Sequence, residues 1–272
     1  MRSLLRVAQH TRYHAITTNK TSLLSKWYEL LMGVLDAFTA GIGSKTNHKV
    51  SCLLCGWTGN HFVDFYTGYN FVYKNTVCPS CFSHPRHRSY TYTLDKIFSQ
   101  LTQERIKVLH FAPETVIAHL IKQYPNVDYL SVDIDHRKAM RKEDITNLSF
   151  TDNSFDFIMC IHVLEHIPDD KKAMQELFRV LKPNGVALLD VPVDYTNEAT
   201  YEDWSITSHE GRTKAFWQWD HVRLYGLDFP NKLRDVGFFV TEDNHIIEKG
   251  DILIKKQGLE AATNYICNKS VQ

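Results

Sequence analysis

Residues 144–192 read DITNLSFTDNSFDFIMCIHVLEHIPDDKKAMQELFRVLKPNGVALLDVP, and this stretch decides the fold of the chain. It predicts a buried strand at Phe155–Ile161, an amphipathic helix and a second buried strand at Val186–Val191. The Pro-Asn-Gly sequence at 183–185 is expected to end the helix, because proline cannot continue it and glycine accepts the left-handed turn. This order is typical of an α/β fold with a doubly wound, mostly parallel sheet.

The same alternation continues on both sides of this stretch. Short apolar runs predict strands, and apolar residues at three- and four-residue steps predict helices. The remaining predicted elements are strands at Lys107–Phe111, Asp128–Ile134, Gly237–Thr241 and Asp251–Lys255, a short strand or turn that opens at Asp144 and Ile145, and helices at Thr115–Gln123 and Leu227–Val236. We divide the chain into a helical segment at 1–46, a cysteine-rich module at 47–89 and a core domain at 90–272.

The composition is that of an ordinary globular protein. Of the 272 residues, 43% are hydrophobic and 23% are charged, and 31 Lys and Arg balance 31 Asp and Glu. A neutral chain gives no global electrostatic reason to expect nucleic acid or an anionic membrane as a partner. The oligomeric state does not follow from these data.

The N-terminal segment lacks the continuous apolar run of a signal peptide. Residues 21–43 are more apolar, but charged residues interrupt them, so we expect no membrane span. Their helical apolar stripe is predicted to pack on the protein's own core, with a dimer seam or a membrane-surface helix as the alternatives. We expect a cytoplasmic protein.

Four of the six cysteines form two CxxC pairs, Cys52 with Cys55 and Cys78 with Cys81. Two residues between cysteines let both thiolates reach one ion, and two such turns complete a tetrahedral site. We predict a structural Zn²⁺ in a zinc-ribbon or knuckle module, and iron remains an alternative. The Arg-His-Arg sequence at 86–88 could hold a phosphate or a nucleic-acid backbone, but a structural loop is favoured.

The amino-acid sequence of residues 144–192 resembles that of the class I methyltransferases that use S-adenosylmethionine, and the resemblance extends over residues 107–257. It implies a Rossmann-like sheet of seven strands, the last of them antiparallel, with the cofactor at the carboxyl ends of the strands. The family's glycine-rich first turn is replaced here by HFAPE at 110–114. A similar turn is found in a subset of bacterial methyltransferases that also carry CxxC pairs.

The resemblance also implies which residues bind the cofactor. Asp133 would bond the ribose hydroxyls, because a carboxylate accepts both hydroxyl protons of a diol, and Glu114 would meet the ammonium group. The residues implied as cofactor-binding are Phe111, Ala112, Pro113, Glu114, Asp133, Asp144, Ile145, Ile161 and His162. Asp133 or Asp144 alone would more often be a strand-end or turn residue than a ligand, and only their joint occurrence in strand order favours the cofactor.

Methyl transfer needs the acceptor held at attack distance, with a base where the acceptor carries a proton. Two candidate bases lie in separate clusters, His166 in HVLEH after the fourth predicted strand and His221 in WDHVRLY after the fifth. The residues predicted to bind the acceptor are Trp217, Asp220, Arg223 and Tyr225. The loop at 194–215 is predicted to set specificity.

We therefore expect an S-adenosylmethionine-dependent methyltransferase acting on an oxygen or nitrogen of a small molecule or glycan-type metabolite. The sequence CIHVLEH carries neither of the motifs that DNA methyltransferases place there, which argues against DNA, while RNA or protein acceptors stay open. The alternative is a catalytically inactive scaffold whose zinc module binds protein or RNA. The missing GxGxxG argues against a dinucleotide-dependent oxidoreductase.

Overall fold

The computed structural model describes residues 49–66 and 72–270, so the predicted helical segment at 1–46 lies outside the described residues. The described chain divides into two compact units. The first unit comprises the described residues up to Asp95 together with His245–Ala262. The second unit comprises Lys96–Asn244 and the described residues from Thr263 onward. Within the described residues, the helices are all too short or too polar to cross a membrane.

The first unit begins with two short antiparallel hairpins. Strand β1 (Val50–Ser51) pairs with β2 (Thr58–Gly59), and β3 (Val63–Tyr66) pairs with β4 (Val72–Val77). Helix α1 (Pro85–Phe98) follows. A proline is tolerated at the first helical position because the N–H that it lacks has no partner within the helix.

The second unit is built on one sheet of seven strands. In chain order its elements are β5 (Ile106–Phe111), α2 (Thr115–Ile121), β6 (Val127–Asp133), β7 (Arg141–Lys142), β8 (Phe155–Ile161), a 3₁₀ turn (Leu164–His166), α3 (Asp170–Val180), β9 (Leu181–Asp190), β10 (Tyr201–Glu202), α4 (His209–Phe216), β11 (Arg223–Leu224), α5 (Phe229–Asp235), β12 (Phe239–Asp243) and β13 (Asn264–Asn268). The strand order is β12-β13-β9-β8-β5-β6-β7. Strands β5 to β9 are parallel and β13 is antiparallel to both neighbours, which confirms the predicted sheet.

Burial explains why the central strand could be predicted to the residue. All seven positions of β8 are buried, so its sequence is a continuous apolar run rather than an alternating one. The helix that follows it buries one face and is capped by Asp169, whose side chain accepts a hydrogen bond from the Lys172 amide at 3.0 Å. These elements form the centre of the core of the second unit.

The end of α3 differs from the prediction. The helix ends at Val180, and the Pro-Asn-Gly sequence lies inside β9. Asn184, not Gly185, takes the left-handed conformation, with φ +60°. Glycine is needed at 185 for space, because a Cβ there would lie 2.8 Å from the Leu181 side chain. The prediction that Gly185 makes the left-handed turn is therefore wrong.

The predicted strand at Asp251–Lys255 is also wrong, because Asp251–Gln257 form helix α6. A short apolar run does not distinguish a strand from a helix, and Ile252 is exposed here. The strand that pairs with β12 is β13 instead. The helix ends at Gly258, which adopts φ +57°.

Arg88 explains why His245–Ala262, assigned to the core domain from sequence, clusters with the first unit. Its buried guanidinium donates to the Gly258 carbonyl at 2.9 and 2.7 Å and to the Thr76 carbonyl at 2.7 Å, and it lies 4.1 Å above the Phe62 ring. It thereby joins three segments that are distant in sequence. This structural role is the one favoured from sequence for the Arg-His-Arg run.

We predict that Gly258→Ala destabilises the protein beyond the strain of a left-handed alanine. A Cβ at Gly258 would lie 2.8 Å from the Arg88 Nη2 and would overlap the edge of the Phe62 ring, whereas a Cβ at Gly56, with φ +71°, would meet nothing within 4 Å. Gly56→Ala should cost about 1–2 kcal/mol, and Gly258→Ala roughly 1–3 kcal/mol more. Urea unfolding of both variants measures the difference, and equal losses would contradict the packing described.

Candidate active site and thiolate cluster

The carboxyl ends of β5, β6 and β8 meet at one edge of the sheet of the second unit. The chain runs from β5 outward to β7 on one side, and then returns to β8 and β9 on the other side of β5. The strand order thus reverses between β5 and β8. Open α/β sheets bind ligands outside the carboxyl ends of their strands at such a point.

At the end of β5, the backbone keeps a conformation that glycine usually supplies. Ala112 has φ +45°, its side chain is exposed, and its N–H donates to the Val132 carbonyl at 2.9 Å. Alanine is the smallest residue that carries a Cβ, and the left-handed conformation costs it about 1–2 kcal/mol. The turn is therefore slim although it contains no glycine.

At the end of β6, Asp133 is half-buried. Its Oδ1 accepts a hydrogen bond from the Asp135 amide at 2.8 Å, and its carbonyl accepts one from the Glu143 amide at 3.0 Å. The first of these bonds uses one carboxylate oxygen to shape the turn. Among the described residues, no hydrogen bond uses the second carboxylate oxygen. This oxygen could therefore accept a hydrogen bond from a ligand hydroxyl.

Of the short strand or turn predicted to open at Asp144 and Ile145, the structure has the turn. The short strand β7 lies three residues earlier, at Arg141–Lys142, and Asp144 forms a turn in which its Oδ1 accepts from the Thr146 amide at 2.9 Å and hydroxyl at 2.8 Å. Asp144 is exposed, whereas Ile145 is buried in the core. From the sequence, Asp144 could be either a turn residue or a cofactor ligand, and this geometry supports the turn role.

After β8 the chain turns sharply. His162 takes φ +54°, and its N–H donates to the Asp190 carbonyl at 2.9 Å. The 3₁₀ turn that follows carries Glu165 and His166. Glu165 is 1% exposed, and its Oε1 lies 3.4 Å from the His162 Nδ1. Sequence reasoning missed Glu165, although the spacing of His162, Glu165 and His166 in HVLEH would have indicated one face of a turn.

The structure brings together the two histidines that the sequence placed in separate clusters. The rings of His166 and His221 lie 4.7 Å apart, nearly perpendicular. The Val222 amide donates to the Glu165 carbonyl at 2.9 Å, which joins the two segments. The His221 Nδ1 lies 2.8 Å from the Phe216 carbonyl, and burial lowers the pKa of His221.

Arg223 and Tyr225, predicted to bind the acceptor, are committed to the protein itself. Both are buried, and the Tyr225 hydroxyl donates to Asp170 at 2.7 Å. The Arg223 guanidinium donates to the Glu202 carboxylate at 2.6 Å and to the carbonyls of Leu164, Ile167 and Pro168 at 2.9, 2.5 and 2.9 Å. An acceptor-binding role does not fit this burial.

The two other residues predicted to bind the acceptor remain accessible. Trp217 is 54% exposed and takes φ +72° at the end of α4. Asp220 is half-buried, and its Oδ2 lies 3.5 Å from the His166 Nδ1. Asp220 therefore lies beside the histidine pair.

In the first unit, the four predicted thiol ligands form one cluster. The Sγ atoms of Cys52 and Cys81 are 3.6 Å apart, and those of Cys55 and Cys78 are 3.7 Å apart. Zinc–sulfur bonds of about 2.3 Å in a tetrahedron require sulfur–sulfur distances of about 3.8 Å. The donor set and its spacing therefore fit Zn²⁺.

The two CxxC turns have similar backbones. The Gly56 amide donates to the Cys52 carbonyl at 2.9 Å, and the Phe82 amide donates to the Cys78 carbonyl at 2.9 Å. Gly56 and Phe82 both take a left-handed conformation, with φ +71° and +61°. A non-glycine residue such as Phe82 adopts this conformation at a cost in free energy. The contacts of the thiolate cluster therefore stabilise this second turn.

One more titratable group lies in β5. His110 is 3% exposed, and its Nδ1 lies 2.9 Å from the Tyr129 hydroxyl. Burial lowers the pKa of His110 to about 4. The imidazole is therefore neutral in the folded protein near pH 7.

Comparison with known proteins gives the class of the core. Residues 103–189, which hold β5 to all but the last residue of β9, match the family described as a methyltransferase domain. The chain is 42% identical over 53 residues to the sterol 24-C-methyltransferase erg6 of Aspergillus fumigatus, a match that covers 20% of this chain and 14% of that protein. It is 44% identical over 45 residues to the demethylmenaquinone methyltransferase of Staphylococcus epidermidis, covering 16% and 19%.

Among solved structures, the YcgJ protein of Bacillus subtilis aligns with 68% of this chain and 100% of its own, at 16% identity and a TM-score of 0.43. Residues 103–189 match a methyltransferase domain, and the strand order of the second unit is that of the Rossmann-like methyltransferase fold. The aligned segments span less than a fifth of the two curated relatives, at 14% and 19% of their lengths.

We predict that Cys52→Ser releases the metal of the thiolate cluster, because a tetrahedral structural site needs all four ligands. Metal analysis after dialysis against a mild chelator should show one zinc per chain in the wild type and a large loss in the variant. Cys267→Ala is the control, since Cys267 is buried in the core of the second unit and should leave the metal in place. A full equivalent of zinc in Cys52→Ser would contradict the four-cysteine site.

We predict that His110 makes stability depend on pH between about 6.5 and 4. Its folded pKa of about 4 lies below the unfolded value, so its contribution is complete above pH 6.5 and is lost as the pH falls toward 4. The loss amounts to about 3 kcal/mol. His110→Gln should flatten this part of the stability profile, whereas His119→Gln, at an exposed position, should not. Parallel profiles for wild type and His110→Gln would show that another group is responsible.

Proposed function

We propose that this protein transfers a methyl group from S-adenosylmethionine to an oxygen or nitrogen of a small molecule or glycan-type metabolite. The observation that carries the proposal is the position of the family match. Residues 103–189 supply the strands on both sides of the point where strand order reverses. Ala112, Asp133 and His162 stand at the ends of those strands.

The residues at this edge fit the parts of the cofactor. Ala112 keeps the turn after β5 slim enough for backbone to approach a ligand closely. A carboxylate such as Asp133 can accept both protons of the ribose diol, and Glu114, half-buried at the start of α2, suits the ammonium group. Ile161 and His162 end β8 on the side proposed for the methionine part.

The bound cofactor would supply an electrophilic methyl group on a sulfonium. The chain's own contribution is to hold the acceptor in line with that methyl group, to exclude water from the site and to take a proton from the acceptor. His166 and His221 are the candidate bases, and His166 is the more accessible of the two, with 29% of its side chain exposed against 6%. Asp220 lies beside His166, and Trp217 and Asp220 are the proposed contacts to the acceptor.

The experiment is a calorimetric titration of the full chain with S-adenosylmethionine and with its demethylated product. We expect micromolar binding that Asp133→Ala weakens more than about tenfold, because hydrogen bonds to a charged group contribute about 1.5–3 kcal/mol each. Asp128→Ala is the matched control. Asp128 lies at the opposite end of β6, where it pairs with Arg105 at 2.9 Å.

Unchanged affinity in Asp133→Ala would remove this residue from the cofactor site. Failure of the folded, metal-loaded wild type to bind either compound would overturn the enzyme proposal. The scaffold alternative, with a zinc module that binds protein or RNA, would then be the better explanation of the fold.

A further inference from the structure

The cluster beside β8 contains a buried carboxylate without a hydrogen-bond partner. Glu165 is 1% exposed, and neither of its side-chain oxygens has a hydrogen-bond partner among the described residues. Burying a carboxylate in this way costs several kcal/mol unless a cation or donors compensate it. The site therefore needs a positive charge in front of Glu165.

His221 presents a second acceptor to the same space. The Phe216 carbonyl can only accept, so the His221 Nδ1 at 2.8 Å carries the ring proton and Nε2 carries the lone pair. That Nε2 lies 4.0 Å from the Glu165 Oε1. A histidine whose Nδ1 donates to a backbone carbonyl while Nε2 faces a carboxylate has the orientation of a metal ligand.

His166 completes a set of three ligands. The ligand atoms of Glu165, His166 and His221 all lie within 4.8 Å of one another. Three donors at about 2.1 Å from one ion lie at most about 3.6 Å apart when their separations are equal, so the side chains close the set around one ion by moving up to roughly 1 Å. His162 lies at its edge, with its Nδ1 at 3.4 Å from the Glu165 Oε1.

We propose that Glu165, His166 and His221, with His162 at the edge, bind a divalent first-row transition metal ion. Two imidazoles and one carboxylate with open positions form a donor set that such ions prefer. The site differs in chemistry from the thiolate cluster of the first unit, where four sulfurs leave no open position.

The open coordination positions of the ion favour an acceptor that carries a hydroxyl group. This inference about the acceptor rests on the proposed methyl transfer. A metal-bound hydroxyl loses its proton more readily, and the proton passes to solvent. The oxygen then attacks the methyl carbon, and the carbon–sulfur bond breaks with its electron pair remaining on sulfur. In this arrangement, His166 and His221 hold the ion instead of taking the proton themselves.

The test is a titration of the full chain with Co²⁺ after dialysis against a mild chelator has left one zinc in the thiolate cluster. We expect one further equivalent of Co²⁺, with visible d–d bands and without the thiolate charge-transfer band that cobalt in the cysteine cluster would give. Glu165→Gln and His166→Ala should each weaken this binding more than about 100-fold, because changes to groups outside the ligand set already cost roughly 10–100-fold.

His119→Ala, at an exposed position of α2, is the control and should bind Co²⁺ as the wild type does. Glu165→Gln should also raise the unfolding temperature of the protein that lacks the second metal, because it removes an uncompensated buried carboxylate. The proposal would be overturned if the wild type bound no second equivalent of Co²⁺. It would also be overturned if Glu165→Gln or His166→Ala gave the same cobalt spectrum as the wild type. Cobalt binding without cofactor binding would reject only the methyl-transfer proposal.

Discussion

The buried guanidinium of Arg223 is the constraint on which the proposed active site depends. A buried cation with five donors is stable only if acceptors surround it, and Arg223 finds them in the Glu202 carboxylate and in three carbonyls that follow β8. These carbonyls belong to the 3₁₀ turn and to the loop that follows it, and the Leu164 carbonyl also accepts from the Ile167 amide at 3.2 Å. The contact fixes the segment around β11 against the turn that carries Glu165 and His166, and His221 lies two residues before Arg223. The geometry of the histidine pair thus follows from a side chain that touches no ligand.

Left-handed residues shape the edge of the sheet in a similar way. Ala112 and His162 end β5 and β8 with positive φ, and each costs about 1–2 kcal/mol that the surrounding sheet must offset. Both hold their turns by a hydrogen bond to a neighbouring strand end, to Val132 and Asp190. The chain therefore turns sharply after these strands.

The two proposed metal environments differ in what balances their charge. Four thiolates around Zn²⁺ carry a net charge of −2, and the buried Arg88 reaches this cluster through Ser83, whose hydroxyl lies 3.2 Å from the Arg88 Nη1 and 3.4 Å from the Cys52 Sγ. In the second unit, one carboxylate and two neutral imidazoles leave a divalent ion with positive charge to share with an incoming oxygen. The first arrangement suits a structural role and the second a chemical one.

By itself, the sequence determined the elements whose signal is local. The apolar run of β8 was predicted to the residue, the seven-stranded sheet with its antiparallel strand was expected from the wording of residues 144–192, and the CxxC spacing indicated the thiolate cluster. Only the tertiary structure decided that HVLEH and WDHVRLY form one cluster, that Arg223 and Tyr225 are buried, and that Asp251–Gln257 form a helix. The physical reason is that periodicity and turn chemistry depend on neighbours in the chain. Burial and ligand geometry depend instead on which distant segments share a hydrogen bond, as Val222 does with Glu165.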